Sequence, residues 1–552
     1  MTLNSRVSPL TRRDFLKQTT LALSGAVLLP NLRAEDTKFV IAETAFGKVR
    51  GSDNNGIKIF KGIPYGAKTS GMNRFMPPAE AAKWTGVRDA LQYGQSAPQS
   101  DPAASPLPAE ALTISGHGLP AEGEDCLVLN VWTPAAGSAG DINRKRPVMV
   151  WCHGGGFATG SGSSPDNDGT NLARRGDVVV VTINHRLNVL GFANLSEFSP
   201  DFAASGDVGM LDIVQALKWV RANISQFGGD PNIVTIFGQS GGGRKVETLL
   251  AMPSAKGLFH RAIVESGAAV KVVDRDVAVR NAEQLLAKLG VDRKNVRALQ
   301  QVPIEKIMAA YFAVVKDNPS VDPSFGGFSP TVDGKILPQH PFHPGASPVS
   351  ADAPVMIGCT RTEMTLFSLN DPSAFSLNDA DMRRRVKDLL GDHAASMIDL
   401  YRKLNPGASL SDIYFLIASD YRYGAPTMIA AQRRAALGKG PVYLYYFTWE
   451  TPVQGGRLKS PHTMEIPFAF DNVKISARMT GGGADAMALA DKVSDAWIAF
   501  ARTGDPNTPK LPHWPAYDAK DRATMVINNV SKVVNDPLRE QRIAMFRALD
   551  LN

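Results

Sequence analysis

The ten residues Ile236-Phe237-Gly238-Gln239-Ser240-Gly241-Gly242-Gly243-Arg244-Lys245 constrain the fold of this 552-residue chain more than any other stretch. A run rich in β-branched residues (Ile233, Val234, Ile236) predicts a strand ending at Phe237, and a helical pattern follows. Between them stands G-x-S-x-G, a tight strand-to-helix turn that exposes one serine hydroxyl. Glycines on both flanks remove the Cβ atoms that would collide in such a turn. The five-residue pattern recurs by chance in many chains, so its weight comes from the strand before it and the helix after it. A serine so placed becomes a nucleophile only with a base, an acid and donors for an oxyanion.

The rest of the chain reads as a frame for that turn. Leu127–Trp132, Val148–Cys152 and Val178–Ile183 are continuous apolar runs, the pattern of strands buried on both faces of a parallel sheet. Later strands are expected at Ala262–Val264, Val355–Ile357 and Val442–Phe447, and helices from Asp207 and over Ala484–Thr503. Short strands between Phe39 and Ile63 predict a small antiparallel entry sheet. With 44% hydrophobic residues the chain can bury a large core. The alternation of strands and helices predicts one large α/β unit, mostly parallel, without an interdomain linker. Ala97–Gly123 and Tyr311–Ser329 read as long loops.

His153-Gly154-Gly155-Gly156-Phe157 follows the strand ending at Cys152. Three successive glycines let backbone N–H groups come close to a developing alkoxide, as in the H-G-G-G motif of esterases. With the serine turn, this motif resembles the α/β-hydrolase arrangement, in which nucleophile, acid and histidine follow one another along the chain on loops after strands. Six of the nine histidines follow Ser240: His260, His340, His343, His393, His462 and His513. Any one of them could simply be a packed side chain. On order alone His462 is the best base, because it follows the strong late strand after a short glycine-containing loop. Glu363 occupies the acid's expected place, five residues past Gly358; its plainer reading is an exposed loop glutamate beside Arg361.

At this point the chain resembles the type B carboxylesterases, the family of cholinesterases, bacterial para-nitrobenzyl esterases and the non-enzymatic neuroligins. The resemblance covers nearly everything after residue 40. Phe227-Gly228-Gly229-Asp230-Pro231-Asn232 leading into Gly238–Gly242 is similar to the family's serine signature, and Glu124-Asp125-Cys126-Leu127 to its second signature. It implies an α/β-hydrolase fold with Ser240 as nucleophile, Glu363 as acid and His462 as base, and with Gly155, Gly156 and Gly241 as oxyanion donors. Ser266, in Glu265-Ser266-Gly267, matches a serine that supports the triad from behind. No cofactor and no metal are implied. Two departures bear on substrate. Gln239 stands where a glutamate is usual. Cys126 lacks its usual partner, because Ala97 occupies the matching position, so the family disulfide is expected to be absent. The loop Ala97–Asp125 also has no aromatic ring to hold a quaternary ammonium. A choline ester is therefore a poor expectation.

The expected activity is hydrolysis of small carboxylic esters through an acyl-enzyme. A specialised esterase for feruloyl, polyester or mycotoxin-type esters is the rival within that chemistry, and carbamate or amide cleavage a further one. A catalytically inert cholinesterase-like binding protein is the rival from another class, disfavoured because all three triad positions are filled. Of the net charge of +7, four units belong to residues 1–34, and no basic stripe follows, so nucleic acid is a poor partner. Those residues carry Arg12-Arg13 before the apolar stretch Leu21–Leu29, which resembles a Tat-type export signal and is too short for a membrane anchor. Residues 1–34 are thus read as a signal peptide, residues 35–552 as a single catalytic domain, and the mature protein as periplasmic or secreted. Cys126, Cys152 and Cys359 are too few and too apolar in context for a disulfide framework.

Overall fold

The computed structural model describes residues 38–101, 120–318 and 327–550. Residues 1–34, expected to be an export signal, and most of the loop Ala97–Gly123 lie outside the described residues. The strands are β1 (Lys38–Thr44), β2 (Gly47–Asn54), β3 (Ile57–Pro64), β4 (Val87–Asp89), β5 (Val128–Thr133), β6 (Arg146–Cys152), β7 (Val179–Ile183), β8 (Gly229–Gln239), β9 (Arg261–Glu265), β10 (Val355–Thr360), β11 (Val442–Phe447), β12 (Ala523–Ile527) and β13 (Lys532–Asn535). They join in one mixed sheet in the order β1-β2-β3-β5-β7-β6-β8-β9-β10-β11-β12-β13, with β4 against β2. From β7 to β12 every pairing is parallel. β3, β5 and β7 pair antiparallel, so the N-terminal strands continue the main sheet rather than forming a separate one.

The apolar runs explain why these strands sit at the centre. In β6, Val148, Val150 and Cys152 pack on one side of the sheet, and Met149 and Trp151 on the other. In β7, Val179, Val181 and Ile183 face one side and Val180 the other. Each face carries its own helical cover, and a strand apolar on both faces can be satisfied only between two such layers. The helix Val208–Asn223 covers one face and Ala484–Thr503 the other, the latter with the bounds expected from the sequence.

Tyr311–Ser329 is not wholly a loop. A helix spans Ile304–Asp317 and buries Ile307, Met308, Ala310, Tyr311 and Val314. That spacing of three and four is a helical face packing onto the core, and it overrides the loop expectation for residues 311–317. Cys126, Cys152 and Cys359 are buried free thiols, in agreement for Cys126 with the alanine at position 97. Among the described residues no helix is long and apolar enough to cross a membrane.

The register places the site. Cys152 lies opposite Gly238, Gln239 opposite Glu265, and Glu265 opposite Gly358. The C-terminal ends of β6, β8, β9 and β10 therefore share one edge of the sheet, where ligands of open α/β sheets bind. The chain leaves those ends into the glycine loop, Ser240, Ser266 and Glu363.

Candidate active site

The serine turn is tight because its neighbours are close. A Cβ at Gly238 would stand 2.6 Å from the Cys152 carbonyl oxygen, and one at Gly242 only 2.0 Å from it. Only glycine fits at either position. Between them Ser240 takes φ 58°, ψ −124°, a conformation that costs on the order of 1–3 kcal/mol in a non-glycine residue. Surrounding structure holds it there. The Ser240 N–H donates to the Glu265 carbonyl at 2.8 Å, and the following helix, Gly241–Ala251, begins at once.

His462 and Glu363 meet across 99 residues of sequence. His462 Nδ1 hydrogen-bonds Glu363 Oε2, while Glu363 Oε1 accepts the Thr360 N–H at 2.7 Å. Both side chains are buried. Glu363 is thus anchored by the end of β10 and presents its second oxygen to the imidazole, which leaves Nε2 for chemistry. His462 lines the same cavity as Ser240. No hydrogen bond joins the two among the described contacts; instead the Tyr423 phenol lies beside the Ser240 hydroxyl. Such contacts commonly tighten only when substrate is bound.

The imidazole is held on its faces as well as its edge. Tyr423 packs against it with ring centroids 4.7 Å apart, and Phe367 with centroids 5.0 Å apart. Gln239 Nε2 stands 3.3 Å from both ring nitrogens, a position over the ring and not in its plane. Gln239 therefore touches the base directly and brings no charge. Tyr423 sits in a π-helical turn, Asp420–Gly424, of the kind that often re-aims a side chain at a site. Burial raises its phenol, which stays protonated.

Ser266 is fully buried, and its hydroxyl donates to Glu465. Glu465 is fully buried, and desolvation together with Glu363 and Glu265 raises its carboxyl well above the usual range. Glu265, which accepts the Trp497 indole N–H at 2.7 Å, is pushed up to about 7 by burial. Burial thus disfavours the charged forms of both carboxyl groups behind the site. Glu465 had one sequence signal, its place three residues after His462. Tyr423 had none.

Opposite the serine lies the glycine loop. Gly155 and Gly156 have φ of 87° and 62°, and among the described residues their N–H groups donate to no protein acceptor. Gly241 opens its helix, where N–H groups have no intrahelical partner. A Cβ on Gly241 would stand 2.2 Å from the Gly156 oxygen, so loop and helix are in backbone contact. The cavity that the glycine loop shares with Ser240 and His462 has a volume of about 320 Å³, and its walls include Trp151, Leu366, Phe367, Ile466 and Met479.

The profile of the carboxylesterase family matches residues 38–546. The chain belongs to the carboxylesterase family. It is 37% identical to the para-nitrobenzyl esterase of Bacillus subtilis (strain 168), over 92% of this chain and 98% of that one. It is 35% identical to the phenmedipham hydrolase of Pseudarthrobacter oxydans over the same shares. The crystal structure of a Geobacillus stearothermophilus carboxylesterase superposes with a TM-score of 0.78 at 37% identity, covering 92% of this chain and 99% of the other. The α/β-hydrolase fold and the class of chemistry follow: this carboxylesterase hydrolyses carboxylic esters.

Proposed function

We propose that Ser240, His462 and Glu363 carry the hydrolysis as a triad, with the N–H groups of Gly155, Gly156 and Gly241 as the oxyanion hole. The observation that carries this reading is the buried Glu363–His462 pair opening onto the cavity that holds Ser240 and the unengaged glycine N–H groups. Ser240 Oγ attacks the ester carbonyl while His462 Nε2 takes its proton. Negative charge builds on the carbonyl oxygen, where fixed N–H dipoles lower its energy without reorganising. The tetrahedral adduct collapses, the C–O bond to the alcohol breaks, and the imidazolium returns the proton to the leaving oxygen. Water then repeats the sequence on the acyl-enzyme and releases the acid. Glu363 holds the imidazole with Nε2 free and stabilises its charged form.

The substrates we infer are uncharged esters of modest size. Apolar walls and the neutral Gln239 support that reading; Asp166, a carboxylate that does line the cavity, is engaged by the Ser476 hydroxyl, and Arg478 lines the same cavity. Para-nitrophenyl butyrate should exceed butyrylcholine in kcat/KM by two orders of magnitude or more; equal values would refute the preference. Labelling with a fluorophosphonate probe tests the nucleophile, and folded protein that stays unlabelled at Ser240 would end the triad reading.

The contact between Gly241 and Gly156 gives a further expectation. Gly241→Ala forces Gly156 to move, and displacing one oxyanion donor lowers kcat by about 10²-fold with little change in KM. Steady-state kinetics on a para-nitrophenyl ester, beside an unchanged melting temperature, check it.

Export is also proposed, on the strength of Arg12-Arg13 and the short apolar stretch after it. Replacing both arginines by lysine should retain active enzyme in the cytoplasm. Undiminished activity in the periplasmic fraction of that variant would rule out the twin-arginine route.

A further inference from the structure

Lys245 is a lysine in an unusual place. It lies on the buried face of the helix that begins after Ser240 and is 0% exposed. Among the described residues no carboxylate pairs with it. Its Nζ donates to the carbonyl oxygen of His153 at 2.9 Å and to that of Gly156 at 2.8 Å. Those two carbonyls bracket the triglycine: one belongs to the peptide entering Gly154, the other to the peptide leaving Gly156. The ammonium also stands 5.4 Å from the Phe157 ring centroid, a cation–π position at the loop's exit.

We propose that Lys245 is a positioning residue that clamps both ends of the glycine loop and thereby holds the Gly155 and Gly156 N–H groups at the oxyanion position. The proposal rests on the reading of that loop as the oxyanion hole. A three-glycine segment is the most mobile backbone a protein can place in a site, and an entropic cost of ordering it accompanies every transition state unless it is ordered beforehand. One side chain bonded to both bracketing carbonyls does that ordering. A peptide plane has its C=O and N–H on opposite sides, so fixing the carbonyls toward the helix fixes the rotation of the planes on either side of the donors.

The groups around Lys245 are neutral. Burial lowers the His153 imidazole to about 3 and also pushes His185, stacked on it with centroids 5.0 Å apart, well below the usual histidine range. Burial also raises the Cys152 thiol to about 12. The same desolvation brings Lys245 down to about 7. Its clamp does not depend on charge, because a neutral amine still has two N–H donors for two carbonyls.

The test compares wild type, Lys245→Met and Lys245→Gln in the full-length enzyme. A methionine fills the space with no donor, and a glutamine keeps N–H donors on a shorter, planar group that holds the two carbonyls less well. Three quantities are read: kcat and KM for para-nitrophenyl acetate, the inhibition constant of an aryl trifluoromethyl ketone, and melting temperature. The ketone forms a tetrahedral oxyanion on the serine, so it reports the hole directly. The clamp requires kcat to fall by about 10- to 100-fold in the methionine variant, with KM within threefold and ketone affinity falling in parallel with kcat. The glutamine variant should fall between methionine and wild type, and it decides the matter if the methionine variant does not fold. A folded variant of either kind with wild-type kcat and ketone affinity overturns the clamp. Fluorophosphonate labelling separates the two readings: wild-type protein that fails to label at Ser240 refutes the triad, whereas labelled variants with unchanged kinetics refute Lys245 alone.

Discussion

Ser240→Ala should lower kcat for ester hydrolysis by about 10⁶-fold, the loss that accompanies removal of the serine from a triad acting as a unit. Fold and stability should barely change. The turn is strained at φ 58° whichever residue with a Cβ occupies it, so alanine inherits the conformation without new cost. The hydroxyl being removed is not deeply buried, and it leaves no charge unpaired. Some catalysis above water should survive, because the glycine N–H groups still meet the carbonyl oxygen. Kinetics on an activated ester, with circular dichroism to confirm the fold, measure the effect. A variant that retained a tenth of the wild-type rate would show that another nucleophile operates.

Glu363→Gln is expected to cost about 10⁴-fold in kcat, and the reason is tautomeric. The carboxylate accepts two hydrogen bonds, from the Thr360 N–H through Oε1 and from His462 Nδ1 through Oε2. A glutamine offers one oxygen and one NH₂. Its oxygen must stay with Thr360, because the opposite orientation sets two donors face to face in a buried site. The NH₂ then points at Nδ1 and makes it an acceptor. The imidazole proton moves to Nε2, the atom that should receive the serine's proton, and the base is blocked. Nitrogen NMR of His462 distinguishes this from a simple loss of charge: protonation should shift from Nδ1 to Nε2 in the variant. A loss smaller than tenfold, or an unchanged tautomer, would remove Glu363 from the role.

Much of this was legible before any coordinates. The strand, serine turn and helix follow from residues adjacent in sequence, and Gly238 and Gly242 prove to be positions where no Cβ fits. The glycine loop after β6 was equally local. Glu363 and His462 could be placed because each lies a short way past the end of a strand, and parallel strands bring such ends to one edge. The expectations that failed were less local. Residues 311–317 looked like loop but form part of a helix, since their packing partners lie elsewhere in the chain.

The sequence by itself therefore determined the family and singled out Ser240 as the proposed nucleophile with its partners in order, because a turn that tolerates only glycine leaves its requirement in consecutive residues. What only the tertiary structure decided is who touches whom behind the site. Ser266 reaches Glu465 across 199 residues, Tyr423 packs on the imidazole, and Lys245 bonds carbonyls 92 and 89 residues away. These pairings depend on strand register and on helix rotation against the sheet. Nothing in the sequence marks a lysine five residues past the serine as one that points at the backbone of the glycine loop; packing shows it.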